Sequence, residues 1–312
     1  MTVQSTVLKL GPYTVRRVVE WVGPLKPVGE ILPDTPREVW DDGVDWLAPS
    51  HFTPETRAYR AAIQTWVVEG GGETVVVDTG VGNGRERPQI PPFSHLETDF
   101  LDRLDAAGVD RDAVTLVVNT HIHYDHVGWN TMRDGDAWVP TFPNARYLVP
   151  DRDREYFRPE NAHRMRPPTT EDERRRFEGI RLVYADSVAP IDAAGQLETW
   201  DGELELTPEL RLELAPGHTP GSSVAWLEAG RGAVFVGDLT HSPVQILRPD
   251  DACSFDLDAA AARASRRRVL ERAAATGVTV FPAHYAGHGG AEVAAGPGDG
   301  FHVTGWAGLP LT

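Results

Sequence analysis

One stretch limits what this chain can fold into more than any other: Thr120-His121-Ile122-His123-Tyr124-Asp125-His126-Val127-Gly128-Trp129-Asn130. It follows an apolar run, Val114-Thr115-Leu116-Val117-Val118, that reads as a buried strand. Side chains at i and i+2 leave a strand on the same face, so His121 and His123 can aim at one point just past the strand end. Asp125 and His126 follow as the chain turns, and can aim at a second point nearby. Imidazole and carboxylate are zinc-type ligands. Four such groups within six residues cost stability unless they are paired or metallated. The fold must therefore deliver a buried strand to an edge where ions or hydrogen bonds satisfy them. A half-exposed, hydrogen-bonded turn rich in His is the plain alternative.

The later chain supplies matching pieces. A third His stands in Ala215-Pro216-Gly217-His218-Thr219-Pro220-Gly221, an Asp ends the run Val234-Phe235-Val236-Gly237-Asp238, and a last His ends Val278-Thr279-Val280-Phe281-Pro282-Ala283-His284. Upstream, Val75-Val76-Val77-Asp78-Thr79-Gly80 places an Asp after a strand-like run. The pattern H-x-H-x-D-H, with these motifs in this order over roughly residues 61 to 290, resembles the metallo-β-lactamase superfamily. The resemblance implies two divalent ions, with zinc the expected metal. His121, His123 and His218 would hold the first, Asp125, His126 and His284 the second, and Asp238 would bridge them. Asp78 looks like the carboxylate that orients a ligand imidazole or the loop, besides forming a turn before Gly80.

The resemblance also implies the architecture: an α/β (α+β) four-layer αβ/βα sandwich with the ligands at one open edge between two sheets. Strands in two groups, each followed by helices, agree with it. The motifs run from residue 78 to 284, so one domain over residues 1–312 is the economical reading.

Formal net charge is −16. That disfavours nucleic acid or an anionic membrane as partner, because phosphate binding needs a basic footprint. Cys253 is the single cysteine, so no internal disulfide can form, which fits a reducing, cytoplasmic location. It lies outside every ligand motif and reads as an ordinary small side chain. Met1–Leu10 lacks the pattern of a signal peptide, and no apolar run is long enough to span a bilayer.

Several segments fall outside the motifs. Residues 23–60 hold six prolines among Trp40, Trp46, His51, Phe52 and Tyr59. Proline this dense argues against long helices and central strands. The arm is either a flap over the metal cleft or a segment packed on the body or on a second subunit. A first strand is expected over Tyr13–Val22, and a hairpin over Ala61–Val68 and Thr74–Val77. A helix is expected over residues 94–107, closed by Gly108, and a short strand over residues 144–149. Residues 151–181 carry nine arginines interleaved with acids. This helical insertion, with Asp151 at an N-cap-like position and a break at Pro167-Pro168, is either an anion-binding lid or a salt-bridged solvated face. Short strands are expected at Leu182–Tyr184, Leu204–Leu206, Leu210–Leu214, Ser223–Leu227 and Ala233–Val236. An amphipathic helix over Asp256–Ala275, ended by Gly277, precedes a core strand at Val278–Phe281. Residues 287–312 are Gly-rich and read as a loose surface tail.

Two divalent ions that share a water lower its pKa from about 15.7 towards about 7, giving hydroxide at neutral pH. Attack by that hydroxide on a carbonyl or phosphoryl centre is the expected chemistry, with Asp125 orienting the nucleophile and receiving its proton. The spacing H-x-H-x-D-H-x-G-x-N resembles the quorum-quenching lactonase and methyl-parathion-hydrolase-like branch. Lactonases of that branch often carry a Tyr three residues after the bridging Asp. His241 stands there in this chain, and an imidazole can donate a hydrogen bond to a substrate carbonyl too. The expectation is therefore a hydrolase of small lactones or carboxylic esters, as a possible homodimer. Phosphotriester hydrolysis, glyoxalase II-like thioester hydrolysis and a mononuclear iron dioxygenase stand as alternatives.

Overall fold

The computed structural model describes residues 7–164, 167–297 and 299–309. The first sheet contains β1 (Val7–Leu10), β2 (Tyr13–Pro27), β3 (Phe52–Thr53), β4 (Ala58–Gly70), β5 (Glu73–Val77) and β6 (Leu116–Val118). After a separate hairpin, β7 (Thr131–Asp134) and β8 (Ala137–Pro140), it is completed by β9 (Arg146–Pro150) and β10 (Leu197–Trp200). Its order is β1-β2-β4-β5-β6-β9-β10, with β3 on β4. Strands β5, β6, β9 and β10 run parallel. The second sheet is β11 (Glu203–Thr207), β12 (Leu210–Leu214), β13 (Ser223–Leu227), β14 (Ala233–Gly237), β15 (Thr279–Pro282), β16 (Ala291–Ala295) and β17 (Phe301–Trp306), in that order.

Side chains alternate along these strands, as the pleat requires. Trp66, Val68, Val75, Val77, Leu116 and Val118 face the second sheet, whose Leu212, Ala225, Phe235 and Phe281 meet them. Val67, Val76 and Val117 face outward and are covered by Phe100 and Leu104 of the helix Phe100–Ala106. On the other side, Val234, Val236 and Val280 pack on Val269, Leu270 and Ala273 of the helix Ala259–Thr276. Helix, sheet, sheet, helix is the αβ/βα sandwich.

Five strand ends meet at one edge. Parallel pairing makes β5 and β6 finish together, delivering Asp78 and the His121–His126 loop. In the second sheet β14 and β15 are parallel, and two antiparallel steps turn β12 the same way. Their ends carry Asp238, His284 and the loop with His218. The sheets are tied at this edge by Ser223 N–H donating to Thr120 O (3.0 Å) and Ala62 N–H donating to His284 O (3.1 Å).

Glu20, on β2, holds the loop beneath the cluster. Its buried carboxylate accepts from Val81 N–H (2.7 Å), Gly82 N–H (3.1 Å) and the Trp129 indole N–H (2.7 Å). Burial raises its pKa in spite of these donors. Gly128 lies so close beneath that a Cβ there would sit 2.0 Å from the Val81 carbonyl, so the Gly of the motif is a packing requirement. Glu20→Ala should leave three buried donors without a partner and cost about 3–5 kcal/mol. Urea unfolding checks this; a loss under about 1 kcal/mol would mean the loop is held by other contacts.

Some expectations need correction. The strand expected over Tyr13–Val22 runs on to Pro27 as β2, because its prolines fall where the pairing with β4 is irregular. The arm then forms three short helices, α1 (Val28–Ile31), α2 (Arg37–Asp42) and α3 (Val44–Leu47), before β3. Its Trp40, Leu47 and Phe52 are buried with Val244 and Cys253, so the arm packs on the body, and only its ends reach the cleft. The helix expected over 94–107 is α4, Phe100–Ala106; Gly108, at φ +79°, follows its end. Asp151 is the first residue of α5 (Asp151–Phe157) and caps nothing with its side chain. Leu182–Tyr184 is not a strand. It ends α6 (Glu171–Val183), started by a capping box between Thr170 and Glu173, and enters a π-turn at Tyr184–Val188 before α7 (Ala189–Ala193). Residues 165 and 166 of the insertion lie outside the described residues. The final helices are α8 (Val244–Leu247) and α9 (Ala259–Thr276), the latter capped by Asp258 and by Gly277 at φ +70°. The tail from 287 is not loose: β16 and β17 extend the second sheet, and the buried Arg17 guanidinium binds the carbonyls of Tyr285, Ala286, Gly287 and Leu309.

Candidate metal centre

All seven residues expected as ligands converge at the open edge in two neighbouring groups, and a third set of close donors, Asp238, His241 and His284, overlaps both. In the first, His121 Nε2 and His218 Nε2 each lie 3.0 Å from His123 Nδ1. In the second, Asp125, His126 and His284 offer donor atoms within 4.8 Å of one another. Asp238 stands between the groups and divides its carboxylate. Oδ2 lies 3.2 Å from His218 Nε2 and 3.8 Å from His121 Nε2. Oδ1 lies 2.9 Å from His284 Nε2 and 3.2 Å from His126 Nε2.

The outward ring nitrogens of four of these histidines already have partners. His126 Nδ1 meets Asp78 Oδ2 at 2.8 Å, His218 Nδ1 meets Asp256 Oδ1 at 3.1 Å, His284 Nδ1 meets Ala62 O at 2.9 Å and His121 Nδ1 meets Thr120 Oγ1 at 3.1 Å. An acceptor at Nδ1 fixes the proton there and turns the Nε2 lone pair inward. Inside, His126 Nε2 and Asp238 Oδ1 are buried with no hydrogen-bond partner among the described residues. Converging lone pairs with orphaned donor atoms suit a cation. The donor chemistry, imidazole with carboxylate, fits a divalent ion of the zinc type.

The electrostatics agree. Burial, joined by neighbouring imidazoles, holds His121 and His123 well below the usual His pKa. Burial also opposes charge on His126, but Asp238, Asp78 and Asp125 outweigh it and raise its pKa. For His218 burial is again outweighed, by bonds to Asp238 and Asp256, which bring it up to about 9. Asp238 is held well below the usual carboxylate range: burial pushes it up, and His284, His126 and His241 pull it down further.

Asp78 sits at φ +56°, a left-handed conformation that Asp tolerates better than most residues. Besides His126 it accepts from Thr120 N–H and Thr120 Oγ1, each at 2.8 Å, so it fixes the first residue of the His loop as well. His241 Nε2 lies 3.2 Å from Asp238 Oδ2, and neither of its ring nitrogens has a hydrogen-bond partner among the described residues. Burial lowers its pKa and so favours the neutral ring. Cys253 is buried and belongs to none of the donor groups. Asp153 and Asp256, which hold the ligand loops, carried no sequence signal: each is one acid among many, with partners far along the chain.

A sandwich with a two-part His/Asp centre at its open edge defines a recognisable class of metal-binding proteins. The family model described as "Metallo-beta-lactamase superfamily" matches residues 59–284, and the chain belongs to that superfamily, a family of hydrolases. Among solved structures, it is similar to "hydrolase AbOPH in beta lactamase superfamily", at 22% identity and TM-score 0.78, covering 98% of this chain and 97% of the other. It is similar also to AidC, a dizinc quorum-quenching lactonase, at 20% identity and TM-score 0.71 with the same coverage. At these identities the likeness is one of fold. Among curated proteins, the acyl-coenzyme A thioesterase MBLAC2 of Homo sapiens is 34% identical over 87 residues. That match spans 28% of this chain and 28% of the relative.

Proposed function

We propose that the protein is a dinuclear metal-dependent hydrolase that cleaves the ester bond of a small lactone or carboxylic ester. The observation that carries this reading is the division of Asp238 between two sets of inward imidazoles. His121, His123 and His218 would hold one ion and Asp125, His126 and His284 the other. Two such ions, when bound, supply hydroxide at neutral pH and polarise a carbonyl oxygen. The chain's own groups do the rest. Asp125 lies at the cleft floor with Oδ2 3.6 Å from His284 Nε2, where it can accept a proton as attack proceeds. His241 lines the same cleft and can donate from its unpartnered ring to the substrate carbonyl.

The cleft is a cavity of about 270 Å³ whose walls include Leu25, Ile90, Ile122, Ile180 and Val183. Apolar walls exclude water and favour an acyl or other hydrocarbon group beside the scissile bond. His241→Phe keeps an aromatic ring, slightly larger than the imidazole, and removes the donor. It should lower kcat by about 10²–10³, as loss of one oxyanion donor does, with metal content unchanged by atomic absorption. Loss of an ion instead would make His241 a ligand.

A thioester is the second reading, and one feature favours it. Arg176 stands exposed at the cleft and makes no ion pair among the described residues, while Arg174 and Arg175 pair with Glu171. Lys26 lines the cleft too. Two cations at the mouth of an apolar cavity suit a substrate with an anionic carrier beyond the scissile bond. The deciding experiment is acid release by the zinc-loaded protein on acyl-homoserine lactones, simple lactones, aryl esters, acyl-coenzyme A thioesters and a phosphotriester, with and without chelator. Chelator-sensitive release from lactones or aryl esters supports the first reading, and preference for the thioester replaces it with the second. Silence across the panel from metal-loaded protein overturns both.

A further inference from the structure

Asp153 is fully buried on α5, next to the strand β9, and takes no part in the chemistry described above. Its carboxylate joins two loops that are distant in sequence. Oδ2 accepts from Ile122 N–H and from Thr219 Oγ1, both at 2.9 Å, and Oδ1 accepts from Gly221 N–H at 2.6 Å. Ile122 stands between His121 and His123, and Thr219 follows His218. One carboxylate therefore grips the backbone between two donors of the first set and the loop that brings the third from the other sheet. The contact leaves no slack: a Cβ on Gly221 would lie 2.7 Å from Asp153 N and 2.8 Å from its Oδ1. The second set has separate supports, with His126 held by Asp78 and His284 by the Ala62 carbonyl.

We propose that Asp153 is a positioning residue that fixes the spacing of His121, His123 and His218, and through it the affinity of the first metal position alone. The inference rests on the two-ion reading given above. The three donor nitrogens are linked at 3.0 Å spacings, and an ion held there would be bound more weakly if its donors splayed apart. Supports of this kind change metal affinity by about 10–100-fold when removed. In Asp153→Asn an NH₂ group replaces one oxygen, so at least one of the three donors faces a donor and the anchor common to the two loops is weakened.

The experiment is a cadmium titration followed by cadmium NMR, in which each metal position gives its own resonance, on the full chain and on Asp153→Asn. The unaltered protein should give two resonances. In the variant the first position should weaken about 10–100-fold and the second by less than about threefold. A general structural role would instead weaken both positions alike along with the unfolding midpoint of the metal-free protein, and that result, like unchanged affinity at both, overturns the proposal. If Asp153→Asn does not fold, Thr219→Val removes one of the three bonds and should still weaken the first position selectively; equal effects there overturn it too. Fewer than two resonances from the unaltered protein would instead refute the two-ion reading.

Discussion

Asp125→Asn should fold, keep its secondary structure by circular dichroism, and lose about 10²–10⁴ of kcat. The reasoning starts from atoms. Asp125 places Oδ1 3.8 Å from His126 Nε2 and Oδ2 3.6 Å from His284 Nε2, at a turn whose backbone is held elsewhere, by Asp78 and by the Thr79 N–H to His126 O bond. Its side chain is not what holds the loop in shape. Asn fills the same volume but removes the negative charge and cannot take up a proton at neutral pH. A positioned general acid or base contributes about 10²–10⁴, and a weakened second metal position would add to the loss. Near-normal turnover in the variant would sink the role assigned to Asp125. A collapse of the fold would show that its charge is structural.

Removal of metal should be felt by the whole molecule. Each proposed set draws donors from both sheets: His121 and His123 with His218, and Asp125 and His126 with His284. Chelation would leave five inward imidazoles and two carboxylates at a buried edge with no cation between them. Binding to the native state alone stabilises by about 4 kcal/mol when the free ligand is a thousandfold above its Kd. For a chain of this size that corresponds to a Tm lower by roughly 5–10 °C in the chelated protein, with all chelator-sensitive activity lost. Differential scanning calorimetry at fixed protein concentration, with zinc and with chelator, reads it directly. An identical Tm in both would mean that zinc does not bind the native state, or that the cluster satisfies itself without an ion.

The seven positions that cluster at the open edge were legible in the sequence because their information is chemical and local. His, Asp and an i, i+2 spacing at the end of a Val-rich run keep their meaning wherever the chain goes, and all seven positions meet at one edge. The core strands were legible for a similar reason, since alternation such as Val75-Val76-Val77 assigns faces without knowledge of the partner. Three residues of Leu182–Tyr184 carry no period, so a helix end and a strand look alike there. The capping box that starts that helix lies more than ten residues upstream. The last hairpin was hidden by its glycines, which read as slack although tertiary contacts order them. Glu20, Asp153 and Asp256 were invisible for a deeper reason. Each acts on a partner brought in by the fold, Glu20 on Val81 and Trp129, Asp153 on Ile122 and Thr219, Asp256 on His218, and no composition rule marks one acid among so many.

The span that carries the superfamily's signature, residues 59–284, is shorter than what the sandwich needs to close. It begins after β2, which shields one edge of β4 along its length, and it stops before β16, which pairs with β15 just ahead of His284. Trimmed to that span, the first sheet would present the long edge of β4 and the second the short edge of β15, both unpaired and open as templates for pairing with another chain. The flanking strands thus serve as hems. They contribute no ligand, and they keep the fabric that carries the ligands from stitching itself to its neighbours.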